Sequence, residues 1–175
     1  SLAYLVYPRP RDFTRGVFKF RSSPAPSMPT DADLLRTVRG GIQGTAMPAF
    51  AFLPETEVQE IVTHLKSFSK GFAEPHVPPI QISASPPLTE EMQKRGSELY
   101  VTMGCGQCHG PAVKSDGPSS RSLKDEMRDP IFPYDFTGTG GMRSGDKPED
   151  LYRTIVTGLA GTPMPAYGES IPSGE

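Results

Sequence analysis

Two stretches of this chain repeat one another at a fixed distance. Asp33–Phe50 reads against Asp150–Tyr167 with a constant offset, 150 − 33 = 117 and 164 − 47 = 117. In each copy a helical stretch opening on Asp-Leu leads into a glycine-bearing loop and ends on Met-Pro-Ala-aromatic. Upstream, Asp12-Phe13-Thr14 answers Asp135-Phe136-Thr137 and Arg21-Ser22 answers Arg143-Ser144, the first copy carrying extra residues around Pro24 to Pro29. A repeat of this period sets the architecture before any element is assigned. It predicts two small related domains in place of one larger one.

Neither domain has the composition to build a thick protein-only core. Hydrophobic residues make up 35%, tryptophan is absent, and glycine plus proline reach 18 + 20 = 38 of 175 residues. Domains this small already bury a modest share of their surface, so an apolar body other than side chains would have to fill the centre. The formal charge of 18 − 20 = −2 is too small to argue for nucleic acid or an acidic membrane surface. No stretch has the length and apolarity of a membrane-spanning helix.

The two cysteines of the chain both fall in Cys105-Gly106-Gln107-Cys108-His109. A C-x-x-C-H string is the attachment signature of c-type haem. Each thiol can add to one vinyl group of a porphyrin, and the histidine that follows then lies under the iron. A redox dithiol would need a βαβ context, and a zinc site two more ligands at suitable spacing. His64 and His76 are not arranged to supply them, and His76 stands in a proline-rich stretch as a solvated loop residue.

For the other axial position the sequence offers Met164, set between Pro163 and Pro165 in Gly158–Tyr167. Core methionines usually recur at helical spacing, whereas flanking prolines hold a backbone extended. A thioether held stiffly in a loop suits an iron ligand, and His/Met ligation raises the potential and leaves no position open for substrate. Met103, Met127 and Met142 are the competitors, Met103 being too near the attachment site to cross the ring easily.

On Cys105 to His109 and the Gly-Thr-Pro-Met-Pro loop, the chain resembles class I c-type cytochromes of bacterial electron-transport systems, particularly those with two such domains in tandem. The resemblance covers nearly the whole chain. It implies an all-α fold of two class I cytochrome c-like domains, each a few short helices and long loops around a haem. It implies haem c attached at Cys105 and Cys108 with His109 and Met164 as iron ligands, and a periplasmic location. By the repeat, Met47 would be the distal ligand of a second haem. A matching histidine would fall 135 − 109 = 26 residues before Asp12, upstream of Ser1, so the chain is expected to be a window on a longer polypeptide that starts inside one domain and ends inside the next. Arg21 and Arg143, which match across the repeat, are candidates to pair with haem propionates.

The expected organisation is a first domain at 1–70 without its attachment segment, a connector at 71–87 and a haem domain at 88–175. Gly71–Pro87 carries five prolines and no helical period, the mark of a semi-rigid linker. Helices are expected at Thr30–Arg39 with Thr30 as a candidate N-cap, at Leu53–Phe68 with Pro54 near the first position, at Thr89–Met103 with Thr89 capping, and at Pro148–Thr157. On the third, Met92, Gly96, Leu99, Tyr100 and Met103 form one stripe, and the resemblance assigns Gly96 and Tyr100 to a helix crossing. Ser119–Met127 is expected to form a short helix stopped by Asp129-Pro130.

The function expected is electron transfer to redox protein partners, as a periplasmic carrier or as an electron-transfer subunit of a respiratory oxidoreductase, in a multi-subunit or membrane-associated complex and with no small-molecule substrate. The chain is thus expected not to be an enzyme in itself. The alternative is a dihaem peroxidase-like oxidoreductase with an exchangeable axial site and an acid/base group above it. No such group stands near Met164 in the sequence.

Overall fold

The computed structural model describes residues Leu5–Ile171. The fold is all-α. Its helices are α1 (Asp31–Gly40), α2 (Glu55–Ser67), α3 (Glu90–Thr102), α4 (Gly106–His109) and α5 (Pro148–Thr157), with 3-10 turns at Phe13–Arg15 and Lys70–Ala73. Among the described residues there is no strand, only an isolated bridge between Lys124 and Pro130. No described helix is long and apolar enough to cross a membrane.

Each longer helix begins where its sequence supplies a stop for the unpaired amides. Thr30 caps α1 through a reciprocal box: its hydroxyl accepts from the Asp33 amide at 3.2 Å, and the Asp33 carboxylate accepts from the Thr30 amide at 3.0 Å. Thr89 caps α3 by accepting from the Met92 amide at 3.2 Å, and Glu90 and Glu91 lie against the positive helix end. Pro54 precedes α2 and Pro148 opens α5, where a fixed φ suits entry and a missing N–H costs nothing. The segment Ser119–Met127 is not helical. Asp125 Oδ1 accepts from the Met127 and Asp129 amides at 2.9 and 3.0 Å, and Arg128 turns to φ +64°. A short carboxylate side chain has there captured the amides a helix would have needed.

The chain forms two compact units. One comprises the described residues up to Ser83 together with those from Gly141 onward, and the other comprises Ala84–Gly140. The first unit therefore holds both copies of the Met-Pro-Ala repeat. Its core is Phe18, Leu34, Val38, Val58 and Val62, joined by partly buried Phe13, Phe50, Leu65 and Phe72. Phe18 stacks on Phe13 with ring centroids 5.2 Å apart and meets Phe72 edge-on at 5.2 Å. Residues 71–83 of the proline-rich stretch belong to this unit, and the Ile80 amide donates to the Ser22 carbonyl at 2.8 Å. Beneath that contact Asp33 is fully buried, accepting from the amide and hydroxyl of Ser22, from Thr30 and from Arg36. Burial alone would raise the Asp33 carboxyl, but these donors outweigh it and hold its pKa below the ordinary carboxylate value.

The second unit is built otherwise. Every described apolar side chain that is fully buried lies in the first unit, and α3 buries none of its residues. Leu88 is 72% exposed, Val101 74% and Phe132 64%. A unit of this size cannot offset its chain entropy with so little apolar burial.

Candidate functional site

The Cys-x-x-Cys-His string forms α4, entered through a tight reversal at the end of α3. The Cys105 amide donates to the Tyr100 carbonyl at 3.1 Å, and Gly104 takes φ +73° to make the turn. The His109 amide then donates to the Cys105 carbonyl at 2.9 Å, closing one helical turn that puts both thiols and the imidazole on adjoining positions. Cys105 and Cys108 are half-buried and unbonded to each other.

The loop after His109 folds back over α4 and fixes it. Gly110 leaves the helix at φ +82°, ψ 163°, a region open to glycine almost alone. The Ser115 amide donates to the His109 carbonyl at 3.0 Å, and the Ser119 amide to the Gln107 carbonyl at 2.9 Å. Between them Gly117 lies so close that a Cβ would stand 2.5 Å from the Gln107 oxygen and 2.7 Å from the Cys108 carbonyl carbon. From α3 the Tyr100 hydroxyl donates to the Gly110 carbonyl at 2.6 Å. Burial raises the Tyr100 pKa, the neighbouring thiols and Asp116 adding to it, and burial likewise raises that of the Cys105 thiol.

His109 is held by Phe136, whose ring centroid is 5.5 Å away, and Phe136 in turn by Tyr134 at 5.1 Å, edge-on. Its Nδ1 is buried and without a hydrogen-bond partner. Burial lowers the imidazole pKa, with the Tyr134 carbonyl acting in the opposite sense, so the ring is favoured in the neutral form that binds metals. The donor set fits a covalently attached haem: two accessible thiols, a neutral imidazole turned by its aromatic neighbours, and a unit whose apolar side chains lack a core. Among the described residues no group of histidine, cysteine and carboxylate side chains could hold a metal ion directly.

The two methionine loops lie together in the first unit and agree bond for bond. Gly41 and Gly158 leave α1 and α5 with φ +63°, ψ −164° and φ +66°, ψ −174°. The Ile42 amide donates to the Met47 carbonyl and the Leu159 amide to the Met164 carbonyl, both at 3.2 Å. Thr45 and Thr162 each accept from the methionine amide at 3.2 Å and donate back to the carbonyl of Ile42 or Leu159, at 2.8 and 2.7 Å. Phe50 and Tyr167 close the loops by donating to the Val38 and Ile155 carbonyls. Met47 and Met164 are both half-buried. The repeat is thus one loop built twice, each thioether on a backbone clamped at both ends.

The two repeat-matched arginines differ. Arg21 is buried and donates from Nη2 to the Thr157 carbonyl at 3.1 Å, whereas Arg143 is exposed. His64 and His76 are exposed, His64 lying edge-on to Phe68. Gly96 has nothing within 4 Å of where a Cβ would stand. Arg36 and Arg153, which no motif singles out, pair with Asp33 and Asp150 three residues earlier, at 2.9 and 2.6 Å. The signal was in the repeat, which sets Asp-Leu-x-Arg at the start of both copies.

Two thiols and an imidazole on a single helical turn are the arrangement that a covalently attached haem requires. Searches against family models and against curated proteins give no match. Among solved structures the chain is similar to a chain of the Kuenenia stuttgartiensis reducing HAO-like protein complex Kustc0457/Kustc0458. The two are 37% identical, with a TM-score of 0.91, over 97% of this chain and 78% of the other. At that identity and coverage, this chain belongs to the same family as that component of the complex.

Proposed function

We propose that this chain is an electron-transfer subunit of an extracytoplasmic oxidoreductase complex, carrying haem c on Cys105 and Cys108. The observation that carries the reading is α4 itself, with two half-buried thiols and a half-buried imidazole on one turn, in a unit that buries no apolar side chain of its own. When bound, the haem supplies a one-electron couple. Cys105 and Cys108 hold it through thioethers, His109 is the proximal ligand, and Phe136 keeps the imidazole plane from turning. Met164 is the proposed thioether ligand of a haem iron, and support for it comes from the Thr162 clamp and the two flanking prolines, which hold its backbone in place.

The congruence of the two loops supports Met47 as ligand to a second haem, in a tandem arrangement of class I type. The family relationship to a component of a reducing protein complex supports a subunit that passes electrons to a protein partner, not an enzyme with its own substrate. Covalent haem attachment of this kind implies a periplasmic location.

Spectroscopy of the purified holoprotein tests the reading. A reversible one-electron titration, with a ferric spectrum that low concentrations of cyanide or peroxide leave unchanged, is the expected result. A rapid change of the ferric spectrum on adding cyanide or peroxide would overturn the carrier role in favour of an exchangeable axial site.

A further inference from the structure

The second methionine loop is seated on the last turn of α5. The Tyr167 amide donates to the Ile155 carbonyl at 3.0 Å and the Gly168 amide to the Val156 carbonyl at 3.1 Å. The returning arm of the loop lies on Gly158, where a Cβ would stand 2.7 Å from the Ala166 nitrogen and 2.7 Å from the Pro165 carbonyl carbon. Met164 adjoins that arm through Pro165, so its backbone follows the end of α5.

The ends of the two matched helices are held by different means. On α1, Leu34 and Val38 are buried in one core with Val58 and Val62. Their matches on α5 at the repeat offset are Leu151, which is half-buried, and Ile155, which is 41% exposed against 5% for Val38. The end of α5 has instead a polar clamp at its last residue. Thr157 is buried, and its carbonyl accepts from Nη2 of the buried Arg21 at 3.1 Å. Its hydroxyl has one proton to give and stands 2.9 Å from the Arg153 carbonyl and 3.2 Å from the Arg21 carbonyl. Beside Arg21 in the chain, Ser22 donates by amide and hydroxyl to the buried Asp33 of α1 at 2.7 and 2.9 Å. A run of hydrogen bonds thus joins the end of α5 to α1. The match of Thr157 in the first copy is Gly40, exposed and with no side chain to clamp.

We propose that Thr157 is the positioning residue of the second methionine loop: through its carbonyl and hydroxyl on Arg21 it fixes the turn of α5 that carries Met164. Polar bonds thereby do in this copy what apolar burial does in the first. A hydrogen bond from a charged donor contributes more than a neutral one, and in a buried setting it is strengthened further. The consequence for iron rests on the reading of Met164 as a haem ligand, whereas the hold on the loop does not. Where Met164 is a ligand, a looser end of α5 weakens the sulfur–iron bond.

The test uses the full natural holoprotein with Thr157→Val, which keeps the shape of the side chain and removes its hydroxyl, and Thr157→Ser, which keeps the hydroxyl. Arg21→Lys, which keeps the charge but not the planar fork, is a second variant of the same clamp and should act in the same sense as Thr157→Val. Hydrogen exchange is read at the amides of Leu159, Thr162, Met164 and Tyr167 in the loop, with those of Val58 and Val62 in the core as reference. In Thr157→Val the loop amides should exchange roughly two- to tenfold faster relative to the core amides, and Thr157→Ser should restore the wild-type ratio. Loop and core amides quickened by the same factor, or neither quickened, would overturn the proposal. On heating the ferric protein, the sulfur-to-iron charge-transfer band should fade further below the unfolding temperature in Thr157→Val than in the wild type or Thr157→Ser. A wild type without that band would refute Met164 as a ligand, and the exchange ratio would still decide the clamp.

Discussion

Gly41→Ala and Gly44→Ala separate two costs that a glycine at positive φ can hide. Both residues belong to the first methionine loop, at φ +63° and +67°. At Gly44 a Cβ meets nothing within 4 Å, whereas at Gly41 it would stand 2.6 Å from the Ala49 nitrogen, 2.6 Å from the Pro48 carbonyl carbon and 2.8 Å from its oxygen. Those atoms are backbone and cannot swing aside. Gly44→Ala therefore carries only left-handed strain, about 1–2 kcal/mol, offset by roughly 0.4–1 kcal/mol from the stiffer unfolded chain. Gly41 also takes ψ −164°, where strain for a non-glycine residue is about 1–3 kcal/mol, and the overlap adds about another 1–3 kcal/mol. With that offset applied to both, the expected loss is about 1–5.6 kcal/mol for Gly41→Ala against about 0–1.6 kcal/mol for Gly44→Ala. Urea unfolding of the full holoprotein by circular dichroism measures both. Because Gly158 repeats the geometry, with 2.7 Å to the Ala166 nitrogen, Gly158→Ala should match Gly41→Ala. Equal losses at Gly41 and Gly44 would refute the claim that the Met-Pro-Ala backbone packs against the helix exit.

Asp33→Asn should cost about 1.5–3 kcal/mol at neutral pH, because the fully buried carboxylate accepts charge-assisted hydrogen bonds from Ser22, Thr30 and Arg36 that an amide cannot all replace. The Asp33 pKa is lowered in the folded state, so its contribution is present above the unfolded carboxylate pKa and is lost as pH falls through the folded one. The variant should thus lose less stability than the wild type on acidification below pH about 4, as acid titrations of melting temperature would reveal. Tyr100→Phe removes the bond to the Gly110 carbonyl and should cost about 0.5–1.5 kcal/mol. Hydrogen exchange at the amides of α4 should rise, and unchanged protection there would count against Tyr100 as its fastener. Removing the haem should unfold residues 84–140 more readily than the first unit, whose core is its own. Limited proteolysis of the apoprotein checks it, and cleavage confined to the first unit would contradict it.

Much of the fold was legible because its signals are local. Thr30, Thr89, Pro54 and Pro148 each announce a helix start by a mechanism that needs no distant partner, and the four helices they open begin within two residues of expectation. Ser119–Met127 was misread because Asp125, a tolerable helix residue by propensity, is a better acceptor for the amides of Met127 and Asp129. The grouping of residues from Gly141 onward with the first part of the chain depends on contacts between residues 136 apart, such as Arg21 with Thr157. Chain order does not contain it. The Cys-x-x-Cys-His string is legible as a motif in the sequence alone. The different settings of Arg21 and Arg143 are not, because the repeat matches the two and only burial distinguishes them.

Intact mass under denaturing conditions tests the central claim most directly, since denaturation strips a loosely held cofactor and leaves thioethers intact. The natural protein should retain haem on the peptide that contains Cys105–His109, and Cys105→Ala together with Cys108→Ala should abolish that added mass. A peptide recovered at its bare polypeptide mass, with both thiols free to alkylate, would contradict the account.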